Sequence, residues 1–550
     1  MKRLLLATAL IAAPMLAYAA DAPKIDPARL SAHIKVLSSD EFEGRGPATA
    51  GEVKTVDYIV GQMKAIGLEP AGDVKDGARA WTQDVPLGKF DIKGPVAAQF
   101  TVGGKAVPLV QGEQIAIRAA MTNVDSVAIK DAPIVFVGYG VKAPERNWDD
   151  FKGLDVKGKI LVVLVNDPDF ETGSGDFGGK AMTYYGRWTY KFEEAARQGA
   201  AGVLIVHETA PASYGWATVK NSNTNTMFDI VREEPTKSHP ALESWIQRDV
   251  AVDLFKAAGL DFEALKTQAQ SRDFKPVELK GATFSASYAV DHSVIVSKNI
   301  AGRIKGARAP DETIIYSGHW DHLGVGQPDA KGDRIYNGSI DNADGIAAIL
   351  ELARAFKSQP APQRSILFLA VTAEERGLLG SEYYAANPLF PLSKTVADLN
   401  IDALSASGPA KDISTSGDGK VDLQDLLVAK AKAHGRDFTP DSKPEAGSFY
   451  RSDHFPFAKR GVPALSVRSG DNLVVGGVEA GAKARADYTT HRYHQPADEW
   501  SPDWDLTGQV QDIGLFYEVG ADLANSRTWP EWQAGSEFKA LRDQTRADRK

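Results

Sequence analysis

Three apolar runs in this chain stop at side chains able to hold a hard or borderline metal ion, and one helix opens on another such side chain. Thr313-Ile-Ile-Tyr-Ser-Gly-His-Trp-Asp-His322 reads as a short strand that delivers His319 and Asp321 one residue apart. Ser365-Ile-Leu-Phe-Leu-Ala-Val-Thr372 is a continuous apolar strand, followed after Ala373 by Glu374 and Glu375. Asn337-Gly-Ser-Ile-Asp341-Asn342-Ala-Asp-Gly345 opens a helix with apolar positions at Ile346, Ile349, Leu350, Ala353 and Phe356. Val396-Ala-Asp-Leu-Asn-Ile401 ends at Asp402. Singly, each has an ordinary reading: His319 a satisfied histidine, Asp341 a helix cap, the Glu pair a solvated turn. Together they are harder to explain, because a strand buried on both faces brings two acids to the sheet's edge with no cation adjacent in sequence. Two divalent ions would offset the charges of Asp341, Glu375 and Asp402, and a bridging hydroxide would complete the balance.

The elements that must position these groups follow a recognisable pattern. From residue 296 onward strands and helices alternate, as in a mostly parallel sheet with helices on both faces. In such sheets ligands bind outside the carboxyl ends of the strands. His319, the Glu374-Glu375 pair and Asp402 each follow a predicted strand end, so they converge on one rim. Helices are predicted over 422–434 and 508–524, and upstream over 26–37 and 51–65, the last stopping at Gly67. The upstream pair is too small to fold alone and is expected to pack on later parts of the chain. Between residues 132 and 278 the texture changes to short β runs at 133–140, 159–165 and 202–207, with a helix over 188–198. The predicted fold class is therefore α/β, a mostly parallel mixed sheet flanked by helices, with an inserted β-rich domain. The expected divisions are 1–20, 21–130, 131–280 and 281–550.

Composition narrows the function. A formal net charge of -9 with no basic stripe argues against a nucleic-acid partner. With no cysteine in 550 residues, thiolate chemistry and disulfides are excluded, and any metal must be held by nitrogen and oxygen. Lys2 and Arg3, an apolar run over 4–16 and Ala17-Tyr-Ala19 have the layout of a cleaved export signal, so a periplasmic or secreted protein is expected. No later run is long and apolar enough to span a membrane.

In combination the motifs resemble the zinc-dependent aminopeptidases with two co-catalytic metals, related to bacterial leucyl aminopeptidase and glutamate carboxypeptidase. Those that carry the resemblance are Gly-His319-Trp-Asp321, Ser-Ile-Asp341-Asn342, Ala-Glu374-Glu375, Asn400-Ile-Asp402 and Tyr493-His494-Gln-Pro. Gly138-Tyr-Gly140 and Asn147-Trp-Asp-Asp-Phe-Lys-Gly153 resemble the protease-associated domain of a branch of that family, which would occupy 131–280. The resemblance implies two Zn²⁺, with Co²⁺ or Mn²⁺ as substitutes. His319 and Asp402 would hold one ion, Glu375 and His494 the other, and Asp341 would bridge them. Asp321 would accept the second ring N–H of His319, and Glu374 would serve as general base towards a metal-bridging water. His454, then Tyr450, would donate to the oxyanion. A cis peptide between Asp341 and Asn342 is also implied. The reaction implied is removal of N-terminal residues from peptides. A carboxypeptidase or dipeptidase on the same two-metal site is the alternative, and a non-catalytic, receptor-like interaction protein is a third reading from another class. Glutaminyl cyclisation is disfavoured by the complete ligand set. Residues 184–190, aromatic and basic, are expected to reach over the rim as a lid, and 416–422 is expected to be a turn rather than a calcium loop. Oligomeric state is not legible.

Overall fold

The computed structural model describes residues 23–549, so the expected export signal lies outside the described residues. Four parallel strands form the centre of the C-terminal part of the sheet, in the order Ala464–Ser469, Thr395–Ile401, Ala309–His319, Arg364–Val371. Arg364–Val371 and Thr395–Ile401 are buried along their whole length, which is why the first reads as an unbroken apolar run from Ile366 to Val371, while the second also buries Asp398 and Asn400. Asp412–Thr415 closes one side antiparallel to Ala464–Ser469, and Val277–Ile304 closes the other antiparallel to Arg364–Val371. The sheet is thus mixed but mostly parallel at its centre. Its register sets Ser317 opposite Asn400 and His319 opposite Val371, so His319, Glu374 and Asp402 leave the sheet at one level.

Helices Pro27–Leu37 and Ala50–Ile66 do pack on the later chain. Leu30, Ile34, Ile59 and Met63 share one core with Ile349 and Leu350 of helix Asp344–Lys357 and with Phe516 and Val519 of helix Thr507–Asn525. Gly67 adopts φ 84°, the left-handed cap its position required.

A ribbon of two long strands leads out of this sheet. Thr82–Val102 pairs antiparallel with Val277–Ile304, from Thr82 opposite Ile300 to Val102 opposite Ala282. Residues 93–95 of the ribbon's first strand and 291–294 of its second are exposed without alternation, so the apolar pattern that marks a strand in sequence is interrupted there. Beyond it lies a second parallel set, Ser126–Phe136, Ile160–Leu164, Gly202–His207 and Leu242–Gln247. Its core draws on Phe90, Phe100 and Ile115 as well as on Phe136, Leu204 and Phe255. Residues 184–190 do not form the expected lid. The Tyr184 ring packs against Phe455 at 5.3 Å and also against Phe538. Ion pairs Lys459–Glu193 at 3.3 Å and Arg232–Glu382 at 3.5 Å join the same two regions, so this segment packs between the two parallel strand sets.

Candidate metal centre

Each candidate ligand is presented by a strand end or by a constrained turn. His319 closes strand Ala309–His319 and is 1 % exposed. Asp341 lies in the irregular turn Ser339–Ala343, and its peptide bond to Asn342 is cis. The turn is held from below by Asp498, whose carboxylate accepts the N–H groups of Ile340 and Asp341. Asn342 ties it sideways: its amide donates to the Ile401 carbonyl at 3.1 Å and accepts from the N–H groups of Gly345 and Ala403. The loop of Asp341 and the strand end of Asp402 are thereby locked together.

Around Asp341 the donor atoms fall into two sets. Nε2 of His319 lies 3.2 Å from Oδ1 of Asp341 and 3.4 Å from Oδ1 of Asp402. Nε2 of His494 lies 3.2 Å from Oδ2 of Asp341 and 3.1 Å from Oε2 of Glu375. Asp341 therefore offers one oxygen to each set. With Zn–N and Zn–O bonds of about 2.0–2.1 Å, the edge of a tetrahedron is about 3.3 Å, which matches these separations. A hydrogen-bond reading fits worse. The buried Nε2 of His319 has two carboxylate oxygens nearby and a well-formed hydrogen bond to neither. The residues fit zinc.

The charges point the same way. Burial disfavours an imidazolium at His319, yet Glu374, Asp341 and Asp402 outweigh it and hold its pKa well above the ordinary value. Burial and then Asp341 push against ionisation of Glu375, but His322 and His494 bring its pKa down to about 2. Glu374 goes the other way: burial, then Glu375 and Asp402, push its pKa well above the carboxylate range, with His319 opposing. A site that needs protonated histidines to balance its acids is one that dications can enter by displacing those protons.

Several expected roles are changed by the geometry. The Asp321 carboxylate is 3.8 Å from Nδ1 of His319, beyond hydrogen-bond reach, and the backbone carbonyl of Asp321 meets that nitrogen instead at 3.1 Å. The carboxylate accepts the Glu374 N–H at 3.1 Å, so it anchors Glu374 rather than the histidine. His454 is fully buried with both ring nitrogens unpartnered and its ring edge-on to Phe449 at 4.6 Å. Burial lowers its pKa to about 3, and it does not reach the cleft. Tyr450 faces a separate cavity of about 220 Å³, where its hydroxyl donates to Glu537 at 2.7 Å and accepts from Lys420 at 2.8 Å. Neither is in a position to bind an oxyanion. In the turn 416–422, Asp418 and Asp422 spend their carboxylates on the N–H groups of Asp441 and Glu531, as a turn requires.

Three features were not read from the sequence. His322, fully buried, sets Nδ1 2.6 Å from Oε1 of Glu375, on the side away from His494. Its place three residues after His319 was the available signal. Tyr493 lies flat on the His494 ring at 3.9 Å and lines the cleft, and its adjacency to His494 could have marked it. Helix Gly477–His491, with Gly481 its one buried residue, walls the cleft through Ala484, Asp487 and Tyr488. Its alanines and charges carry almost no amphipathic pattern. The cleft holds about 560 Å³ and is floored by Asp341, Glu374 and Asp402.

An α/β sheet with an imidazole-and-carboxylate cage at its strand ends defines a protein built around divalent metal. Residues 299–517, which hold every ligand candidate from His319 to His494, match the model of Peptidase family M28. A probable zinc metalloprotease of Pyrenophora tritici-repentis (strain Pt-1C-BFP) is 34% identical over 108 residues, 20% of this chain and 24% of its own length. Aminopeptidase YwaD of Bacillus subtilis (strain 168) is 24% identical over 448 residues, covering 80% of this chain and 76% of YwaD. Among solved structures, the aminopeptidase from Aneurinibacillus sp. strain AM-1 is 19% identical with a TM-score of 0.47, covering 91% of this chain and 95% of that one. The chain spans 24%, 23% and 13% of the length of the first curated relatives it matches.

Proposed function

We propose that this protein is a metal-dependent exopeptidase, an aminopeptidase, holding two zinc ions. His319 and Asp402 would bind one ion, Glu375 and His494 the other, and Asp341 both. The observation that carries the reading is the sharing of Asp341 between two donor sets with separations of 3.1 to 3.4 Å, beside an open cleft. Zinc bound there supplies Lewis acidity and lowers the pKa of water. Glu374, facing the cleft with its backbone held by Asp321, takes the proton of the attacking water and returns it to the leaving amine. The Tyr493 phenol, kept protonated by burial and by Asp341 and Glu375, donates to the oxyanion. A cleft of about 560 Å³ suits the end of a short peptide rather than a folded chain.

The similarity to YwaD, named an aminopeptidase, supports attack at the N-terminal end. The layout of residues 1–20 supports export to the periplasm or medium. Among the described residues no helix is long and apolar enough to cross a membrane. The protease-associated resemblance of 131–280 supports a role for that region in shaping substrate access. The test is release of chromophore from an aminoacyl anilide, with and without chelator, and with a blocked N-terminus. Chelator-sensitive cleavage lost on blocking supports the reading. Release from the C-terminal end instead would make the protein a carboxypeptidase, and zinc binding without any hydrolysis would make it a binding protein.

A further inference from the structure

The polar segment Ser38-Ser-Asp-Glu-Phe-Glu-Gly-Arg-Gly46, distant in sequence from every ligand motif, lies directly beneath the metal centre. Arg45 is 1 % exposed, and its guanidinium donates four hydrogen bonds, all to backbone carbonyls. Nε meets Trp320 at 2.8 Å, Nη1 meets Leu37 at 2.8 Å and Asn337 at 2.6 Å, and Nη2 meets Gly338 at 2.7 Å. Trp320 stands between His319 and Asp321, while Asn337 and Gly338 lead into the turn that presents Asp341. A single side chain grips both loops.

The turn carrying Arg45 is wedged where it stands. Glu43, Gly44 and Arg45 are all left-handed, with φ of 51°, 62° and 51°. A Cβ at Gly44 would come within 2.5 Å of the Tyr336 carbonyl oxygen and 2.6 Å of that of Gly324, so only glycine lets the turn seat so deeply. Burying a guanidinium is costly, and among the described residues Arg45 makes no ion pair. The acids whose charges favour it from further off are Asp498, Asp321, Asp341 and Glu375, the ligands and their supports. An apolar side chain would fill this volume at lower cost if packing were the only demand.

We propose that Arg45 is a positioning residue for the metal centre: its fork fixes the spacing between the His319 loop and the Asp341 loop, so that residues 38–46 complete the zinc site. The inference rests on the two-zinc reading above. Arg45→Lys keeps a positive charge but replaces a planar fork, which meets four carbonyls from three nitrogens, with a single ammonium whose three N–H groups leave at least one carbonyl unmet. The experiment is zinc affinity by competition with a chromophoric chelator on the full-length, metal-stripped protein, beside a thermal melt of the stripped form. Outer residues that orient ligands contribute about 10- to 100-fold to metal affinity, so the expected result is zinc binding weakened at least about tenfold by a variant that still melts cooperatively. A residue needed only for stability would lower the melting temperature and leave the zinc affinity of the folded protein unchanged, and that result overturns the proposal. Gly44→Ala, which leaves the guanidinium intact but lifts the turn, should weaken zinc in the same direction, and it decides by the same criterion if Arg45→Lys does not fold. If neither folds with zinc present, Arg45 is a folding residue and the proposal fails. A parent protein that binds no zinc defeats the metal reading itself, whereas a parent that binds zinc with both variants unchanged defeats only the role of Arg45.

Discussion

Glu374→Gln separates the proposed general base from the proposed ligands. The amide has the shape of the carboxylate and keeps the backbone N–H that binds Asp321, so what disappears is the capacity to take a proton. Among the described residues Glu374 makes no ion pair, and burial, Glu375 and Asp402 disfavour its charge more than His319 favours it. Its neutralisation should therefore leave the fold as stable as before or slightly more so. Loss of a positioned base costs about 10²- to 10⁴-fold. At about 1.4 kcal/mol per decade this is roughly 3 to 5 kcal/mol of barrier. The assay is steady-state hydrolysis of an aminoacyl anilide at saturating zinc, with zinc stoichiometry measured on the same preparation. The expected outcome is a fall in kcat of that size with two ions still bound. A kcat within tenfold of the parent would refute the base assignment. A fall in zinc content would refute it differently, because donor atoms of His319, Glu374 and Asp402 lie within 4.8 Å of one another and could themselves cage an ion.

Other outcomes test the surrounding structure. His239 sits between Glu243 at 2.7 Å and Asp229 at 2.9 Å; burial opposes its charge, but these acids raise its pKa to about 9. A raised histidine stabilises fully below its unfolded value of about 6.5 and loses that contribution as pH climbs through 9. Urea denaturation should thus show stability declining over this window by no more than about 3 kcal/mol, and His239→Gln should flatten that dependence. Ser452 donates to Oδ2 of Asp402 at 2.6 Å and accepts from Asn400 at 2.7 Å, so Ser452→Ala should weaken zinc about tenfold in chelator competition. Unchanged affinity would show that Asp402 needs no support. Gly520→Ala would drive a Cβ to 1.8 Å from the Tyr316 hydroxyl, which bonds the Phe516 carbonyl, and should cost at least about 1–3 kcal/mol in chemical denaturation. A neutral result would mean that helix Thr507–Asn525 can shift on the sheet.

Residue pattern alone located the strands around the site and where they stop. An unbroken apolar run such as 365–371 must lie inside a sheet, and the residues just past its end must emerge at the rim, so His319, Glu374, Glu375 and Asp402 could be assembled before any coordinates. These are local rules of periodicity and chain direction. What each side chain faces depends on packing between distant segments, which no local pattern encodes. Asp321 and His319 are one residue apart, yet the imidazole meets the Asp321 backbone carbonyl while the carboxylate turns towards the Glu374 backbone. His454 and Tyr450 belong to a motif that lines the cleft through Ser448, Arg451 and Ser452, but the turn of that loop points both rings into the aromatic packing behind it. Arg45 is held by carbonyls 275 and 293 residues away, and a backbone carbonyl has no sequence signature. The strand Thr82–Val102 and the helix Gly477–His491 stayed hidden for a related reason: the strand's alternation breaks at the exposed residues 93–95, the helix buries only Gly481, and the apolar patterning that reveals an element is written only where a face is buried.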